Sequence, residues 1–150
     1  MSTKSNHDLA VELHDLMNRL KRRLREHSGS ADLPPSHVAV LRRLEREGAQ
    51  TVTALARAGG VRSQSMGATV AALQAAGHIS GAPDPQDGRQ TLLSLTPACR
   101  KWLRDTRATR QDWLQRAIES QLSPREQQDL AKALALLQRV VEAQPQVQEN

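Results

Sequence analysis

Apolar residues recur at helical spacing through most of this chain, and the one stretch that breaks the rhythm is the most informative. Leu9, Leu13, Leu16, Leu20 and Leu24 lie four, three, four and four residues apart, a single stripe that predicts an amphipathic helix over roughly residues 7–27. Arg19, Lys21, Arg22, Arg23 and Arg25 crowd its last turns, where cations complement the helix dipole. The run HSGSADLPP ends it. A second helix is expected to start at Pro34 or Pro35, because proline is tolerated in a first turn, and to carry Val38, Val40, Leu41 and Leu44 on to Gly48. Thr51 then caps a short third helix with Val52, Leu55 and Ala56 inward. The Gly59-Gly60 pair stops it in a turn that needs positive backbone dihedrals.

Helix, glycine turn, helix is the helix-turn-helix arrangement, with residues 62–76 as its second, groove-entering member. Met66, Val70 and Leu73 give that member a buried seam, and Gly77 breaks it. The helical period then gives way to two strand-like runs, at Ile79 and at Thr91–Leu95. Between them PDPQDGRQ is a turn by composition, since Pro, Asp and Gly each favour reversal for its own reason.

Two more helices have legible starts. Thr96-Pro97 pairs an N-cap with proline at the first helical position, and Ser123-Pro124-Arg125-Glu126 adds a capping-box glutamate. The first carries Trp102, Leu103, Trp113, Leu114, Ala117 and Ile118; the second carries Leu130, Leu134, Leu137 and Val141. The terminal QPQVQEN is expected to fray. The predicted fold class is mainly α with a small β wing, in a single domain over residues 1–150. Residues 34–96 form a winged helix-turn-helix module, and the helices of 6–33 and 97–144 dimerise. Dimerisation follows because three long apolar stripes flank a module too small to cover them, and most homo-oligomers are two-fold dimers. An intramolecular bundle is the alternative.

Composition sharpens this. Hydrophobic residues are 38% with no Phe, no Tyr and only two Trp, so the core must be Leu, Val, Ala and Met, largely in helices. The formal net charge of +5 suits a nucleic-acid partner, because cations displace the counterions condensed on phosphates. An ordinary basic protein is the alternative, since net charge does not dictate fold. The distribution says more: from Gly48 to Pro83 there is no Asp or Glu, although the chain-wide frequency predicts about four, while Arg57 and Arg62 remain. Cys99 is the only cysteine, which excludes an internal disulfide framework and a thiolate zinc cluster. It follows Pro97 in a first turn, where the dipole would lower a thiol pKa, yet it reads best as a small core residue. His7, His14, His27, His37 and His78 are scattered singly, so no metal site and no cofactor are expected. No paired carboxylates, nucleophile-base pair or phosphate loop support an enzyme. With no apolar signal core and no long apolar window, a cytoplasmic protein without a membrane partner is expected.

With the helix order, the acid-free helix-turn-helix and the wing in view, the chain resembles the MarR (multiple antibiotic resistance regulator) family of winged-helix transcription factors. The residues that carry the resemblance are LARAGGVRSQSMGATVAALQAAGHI at 55–79, Asp84-Pro85, Asp87-Gly88-Arg89, and SLTPA at 94–98. The resemblance implies a homodimer whose terminal helices form the dimer region and whose two winged modules read successive major grooves of a pseudo-palindrome. It further implies a repressor that releases double-stranded DNA when a small-molecule effector binds.

On a helical wheel, the face opposite Met66, Val70 and Leu73 carries Gln64, Ala68, Ala71 and Ala75, flanked by Ser65, Gly67 and Ala72. Gln64 is the candidate for base readout, since its amide reaches adenine N6 and N7 together and recognition helices meet bases with their first turns. Arg62 is expected on backbone or guanine, and Ala68 offers a methyl to thymine. Ser63 and Ser65 bond phosphates or, equally, cap the helix. Many members of the family carry larger polar or basic residues near Gly67, Ala68 or Ala72. In the wing, Arg89 is expected to enter the minor groove, with Asp87 orienting it through charge-assisted hydrogen bonds. An effector pocket is expected beside His37, Leu41 and Trp113. A constitutive or architectural DNA-binding protein and a winged-helix protein-interaction module stay open as alternatives.

Overall fold

The computed structural model describes residues 4–29 and 33–143, and the expected fraying of QPQVQEN lies outside them. The elements in chain order are α1 (Asn6–His27), α2 (Pro35–Glu47), α3 (Val52–Gly59), α4 (Ser63–Ala75), β1 (Ile79–Pro83), β2 (Thr91–Leu95), α5 (Pro97–Gln121) and α6 (Pro124–Glu142). The chain divides into two compact units, Met1–Arg110 and Gln111–Asn150, so the division falls inside α5.

In the first unit, α1 opens on a capping box: Ser5 Oγ accepts from the Asp8 amide at 3.1 Å, and the Asp8 carboxylate accepts from the Ser5 amide at 3.2 Å. The leucine stripe forms as expected, but α1 contains no buried residue, and Leu16 is 52% and Leu20 39% exposed. Pro34 precedes the first residue of α2, and Gly48 ends that helix at φ 82. Thr51 Oγ1 accepts from the Ala54 amide at 3.2 Å and so fixes the start of α3. The reversal into α4 turns on Gly60, whose φ of 64 and ψ of 28 lie in the left-handed region that side chains with a Cβ rarely adopt.

One core joins α2, α3 and α4 to the hairpin and the start of α5. Val40, Leu41 and Leu44 of α2 pack with Leu55 and Ala56 of α3, Met66, Val70 and Leu73 of α4, and Ile79, Leu93, Leu95 and Cys99. The strands are antiparallel with Ile79 opposite Leu95 and Pro83 opposite Thr91, so the hairpin is longer on its first strand than the single position Ile79 suggested. Gln50 adds a feature that the sequence pattern did not reveal. Its amide donates to the Leu93 carbonyl at 3.0 Å and its carbonyl accepts from the Leu93 amide at 2.8 Å. That one-residue bridge ties the entry of α3 to the wing. Thr96 completes the frame: its hydroxyl donates to the Gly77 carbonyl at 2.8 Å and accepts from the Cys99 amide at 3.1 Å, which joins the end of α4 to the start of α5.

The second unit contains the rest of α5 and all of α6. Ser123 and Glu126 form the expected capping box, and the Ser123 amide and hydroxyl hold the Glu126 carboxyl below its ordinary value. Trp113, Leu114 and Ile118 are half-buried. No residue of α6 is buried, and Leu134, Leu136, Val140 and Val141 are all exposed.

Candidate nucleic-acid interface

Helix α4 buries Met66, Val70 and Leu73, which anchor it in the core and turn the opposite side outward. Arg62, Ser63, Gln64, Ser65 and Ala68 are all exposed, on the first turns of α4 and the residue just before it. Gly67 is half-buried, so it flanks this face without belonging to it. The N-cap is Arg62, in extended conformation, and no side chain caps the helix. Neither Ser63 nor Ser65 therefore takes the capping role that their residue types allowed. The first amides of α4 remain open at a helix N-terminus, an arrangement that suits anions. No acidic residue lies in the first turn.

The wing tip is built by its two aspartates. Asp84 Oδ1 accepts from the Gln86 amide at 2.9 Å, and the Asp84 amide donates to the Gln90 carbonyl at 2.9 Å. Asp87 Oδ1 accepts from the Arg89 backbone amide at 3.1 Å, and its Oδ2 accepts from Gln90 Nε2 at 3.4 Å. Asp87 thus fixes the turn beneath Arg89 through the main chain, where a bond to the guanidinium was expected. The exposed Arg89 side chain makes no ion pair among the described residues. Its charge is available to an outside anion.

The residues expected at an effector pocket fall in both units. His37 is half-buried on α2, and Leu41 is 0% exposed inside the core and offers no surface to a ligand. Trp113 belongs to the second unit. The first unit does contain an open groove of about 560 Å³, which none of these three lines. Cys99 is buried, and desolvation, with a smaller contribution from Glu45, pushes its thiol up. Arg110 donates Nε to Ser28 Oγ at 3.1 Å, and burial, then Arg42 and Arg25, hold its guanidinium below its ordinary value. Among the described residues no helix is long and apolar enough to cross a membrane, and no cluster of three His, Cys, Asp or Glu is placed to hold a metal.

Comparison with known proteins bears on this geometry. A model of the MarR family matches residues 31–90, which contain α2, the helix-turn-helix and most of the wing. An HTH-type transcriptional regulator of Mycobacterium bovis is 34% identical over 137 residues, covering 91% of this chain and 95% of that protein. The crystal structure of a transcriptional regulator of Pseudomonas aeruginosa is 33% identical with a TM-score of 0.78, covering 94% of this chain and 100% of that one. A mutant of Staphylococcus aureus MepR bound to an oligodeoxyribonucleotide shares the fold at 17% identity and a TM-score of 0.70, covering 89% of this chain and 98% of that one.

Proposed function

The chain belongs to the MarR family of transcription regulators, and on that premise we propose that it is a homodimeric repressor that binds a pseudo-palindromic operator and leaves it when a small ligand binds. The observation that carries the DNA reading is the outward face of the first two turns of α4: exposed, free of acids, uncapped by any side chain, and headed by Arg62, Ser63 and Gln64. Such a surface meets phosphates with open amides and bases with one bidentate amide side chain. Ser63 and Ser65, freed from capping, bond phosphates; Ala68 packs on a thymine methyl; Arg89 enters the minor groove from a turn that Asp87 holds. The relative solved with an oligodeoxyribonucleotide supports the same reading at the level of fold.

The dimer reading is supported by the two terminal helices. Neither α1 nor α6 buries a residue within the described chain, although both carry leucine or valine stripes. Apolar faces of that length mark protein contacts. Sedimentation tests this part directly: the chain is expected to run as a dimer, and Leu16→Lys/Leu20→Lys as a monomer that has lost tight operator binding. A parent chain that sediments as a monomer while bound to DNA would sink it. An architectural DNA-binding role is the second reading, favoured by the small side chains Ala68, Ala71, Ala72 and Ala75 on the outward face, which read few base edges. Equal affinity for all duplexes would favour that role.

A further inference from the structure

We infer that the ion pair between Glu45 and Arg107 is a positioning contact for DNA binding: it fixes the angle at which α5 leaves the winged module, and so the half-site spacing that a dimer accepts. The inference rests on the dimeric DNA-binding reading above. Arg107 Nη2 donates to both oxygens of the Glu45 carboxylate, at 3.0 and 2.9 Å. Neighbouring charges pair differently. Arg43 and Arg46 pair with Glu47 within α2, and Lys101 with Asp105 within α5, whereas Glu45 and Arg107 lie 62 residues apart and join the two helices.

Both partners stand on held backbone. Leu41 and Leu44, at 0% and 1% exposure, lock α2 into the core, and Leu44 adjoins Glu45 in sequence. On α5, Cys99 is buried in the first turn, Trp102 and Leu103 pack against the same core, and Thr106, 8% exposed, is the last buried residue before Arg107. Apolar contacts are not directional, so by themselves they let α5 pivot about its first turns. A charge-assisted hydrogen bond is directional, and this one closes the pivot on the far side of Leu103. The division between the two units falls just past it, after Arg110.

The lever is long enough to matter at DNA. Arg107 stands about 12 Å along the helix axis from Cys99, so a slip of about 1 Å there tilts α5 by about 5°. Over the 25 residues of α5, about 37 Å, that tilt moves the far end by about 3 Å, close to the roughly 3.4 Å rise of one base pair. The pair contributes little to folding, because Arg107 is 57% exposed and Glu45 29%. Its consequence is geometric: with the contact broken, the two α4 helices of a dimer sample several separations and fit no single half-site spacing well.

Two measurements on the full chain test this. A nitroxide on Ala75→Cys, exposed at the end of α4, reports the separation of the two recognition helices in the DNA-free dimer by pulsed electron resonance, while the buried Cys99 stays unlabelled. Glu45→Gln and Arg107→Gln are each expected to broaden the parent's narrow distance distribution. On duplexes carrying the selected half-sites at the preferred spacing, and one base pair closer or farther, each variant is expected to lose about three- to tenfold in affinity at the preferred spacing and to discriminate less among the three. The double variant is expected to be no worse than either single one, since both remove the same contact. Melting temperatures should stay within about four degrees of the parent's, which shows that each variant folds. Distributions as narrow as the parent's overturn the proposal, and so do losses that add in the double variant. A loss confined to Arg107→Gln and equal at all three spacings also overturns it and assigns Arg107 to a phosphate. A parent that yields no distance between labels refutes the dimer and this role together, whereas variants that keep the parent's narrow distance refute the role alone.

Discussion

Arg89→Ala removes a side chain that the protein itself does not use. The guanidinium is exposed and makes no ion pair among the described residues, and Asp87 bonds the Arg89 backbone amide at 3.1 Å, a contact that alanine retains. The wing turn therefore survives, and the melting temperature should stay within about two degrees of the parent's, as for surface changes worth less than roughly 0.5 kcal/mol. The loss falls on DNA. Each wing gives up one contact of about 1–3 kcal/mol, so a two-fold dimer loses about 2–6 kcal/mol. The slope of log affinity against log salt should fall by about 1.8, two charges at roughly 0.9 each. Fluorescence anisotropy on a selected duplex, titrated from about 50 to about 200 mM salt, reads both numbers. Unchanged affinity and unchanged slope would refute the placement of Arg89 on DNA, and a large drop in melting temperature would refute the account of the turn.

Three further outcomes are expected. Gln64→Ala should cost about 1–3 kcal/mol on the preferred duplex and relax the preference at one base pair of each half-site, which selection with the variant would reveal as a lost position; a uniform loss across all sequences would reassign Gln64 to the backbone. Thr51→Ala should destabilise the fold by about 1 kcal/mol in urea denaturation, since it removes the bond from the Ala54 amide at the start of α3. The Cys99 thiol, raised above its ordinary value of 9.0 mainly by burial, should stay protonated at neutral pH and react with a disulfide reagent only as the chain unfolds. The sign of that shift also means that Cys99 costs the fold stability once pH rises past the unfolded thiol pKa, because only the unfolded chain then gains from ionisation; fast labelling of the native chain at pH 7 would contradict the burial argument.

Local chemistry made most of the fold legible. Thr96 and Ser123 cap the helices they were expected to cap, because a hydroxyl before proline, joined at Ser123 by a glutamate three residues later, leaves few other arrangements. Gly60 takes the left-handed turn that the glycine pair implied. Contacts between distant residues were harder. Nothing in the pattern around Gln50 announces that it will bridge Leu93, since one pair of ladder bonds needs no period. Ser63 and Ser65 have the right chemistry to cap α4, but Arg62 takes the cap position with no side-chain bond, and only backbone geometry decides that. Asp87 is one residue from Gly88 and two from Arg89, and sequence spacing alone does not separate a bond to the guanidinium from a bond to the amide.

The central claim is sequence-specific recognition of DNA by a two-fold dimer, and binding selection of the purified chain on random duplexes, repeated across salt, tests it most directly. The account predicts enrichment of a two-fold-related motif whose half-site centres lie about 10 base pairs apart, bound about a thousandfold more tightly than random duplex. Enrichment of nothing, with affinity that only falls with salt, would contradict it and leave a non-specific DNA-binding protein.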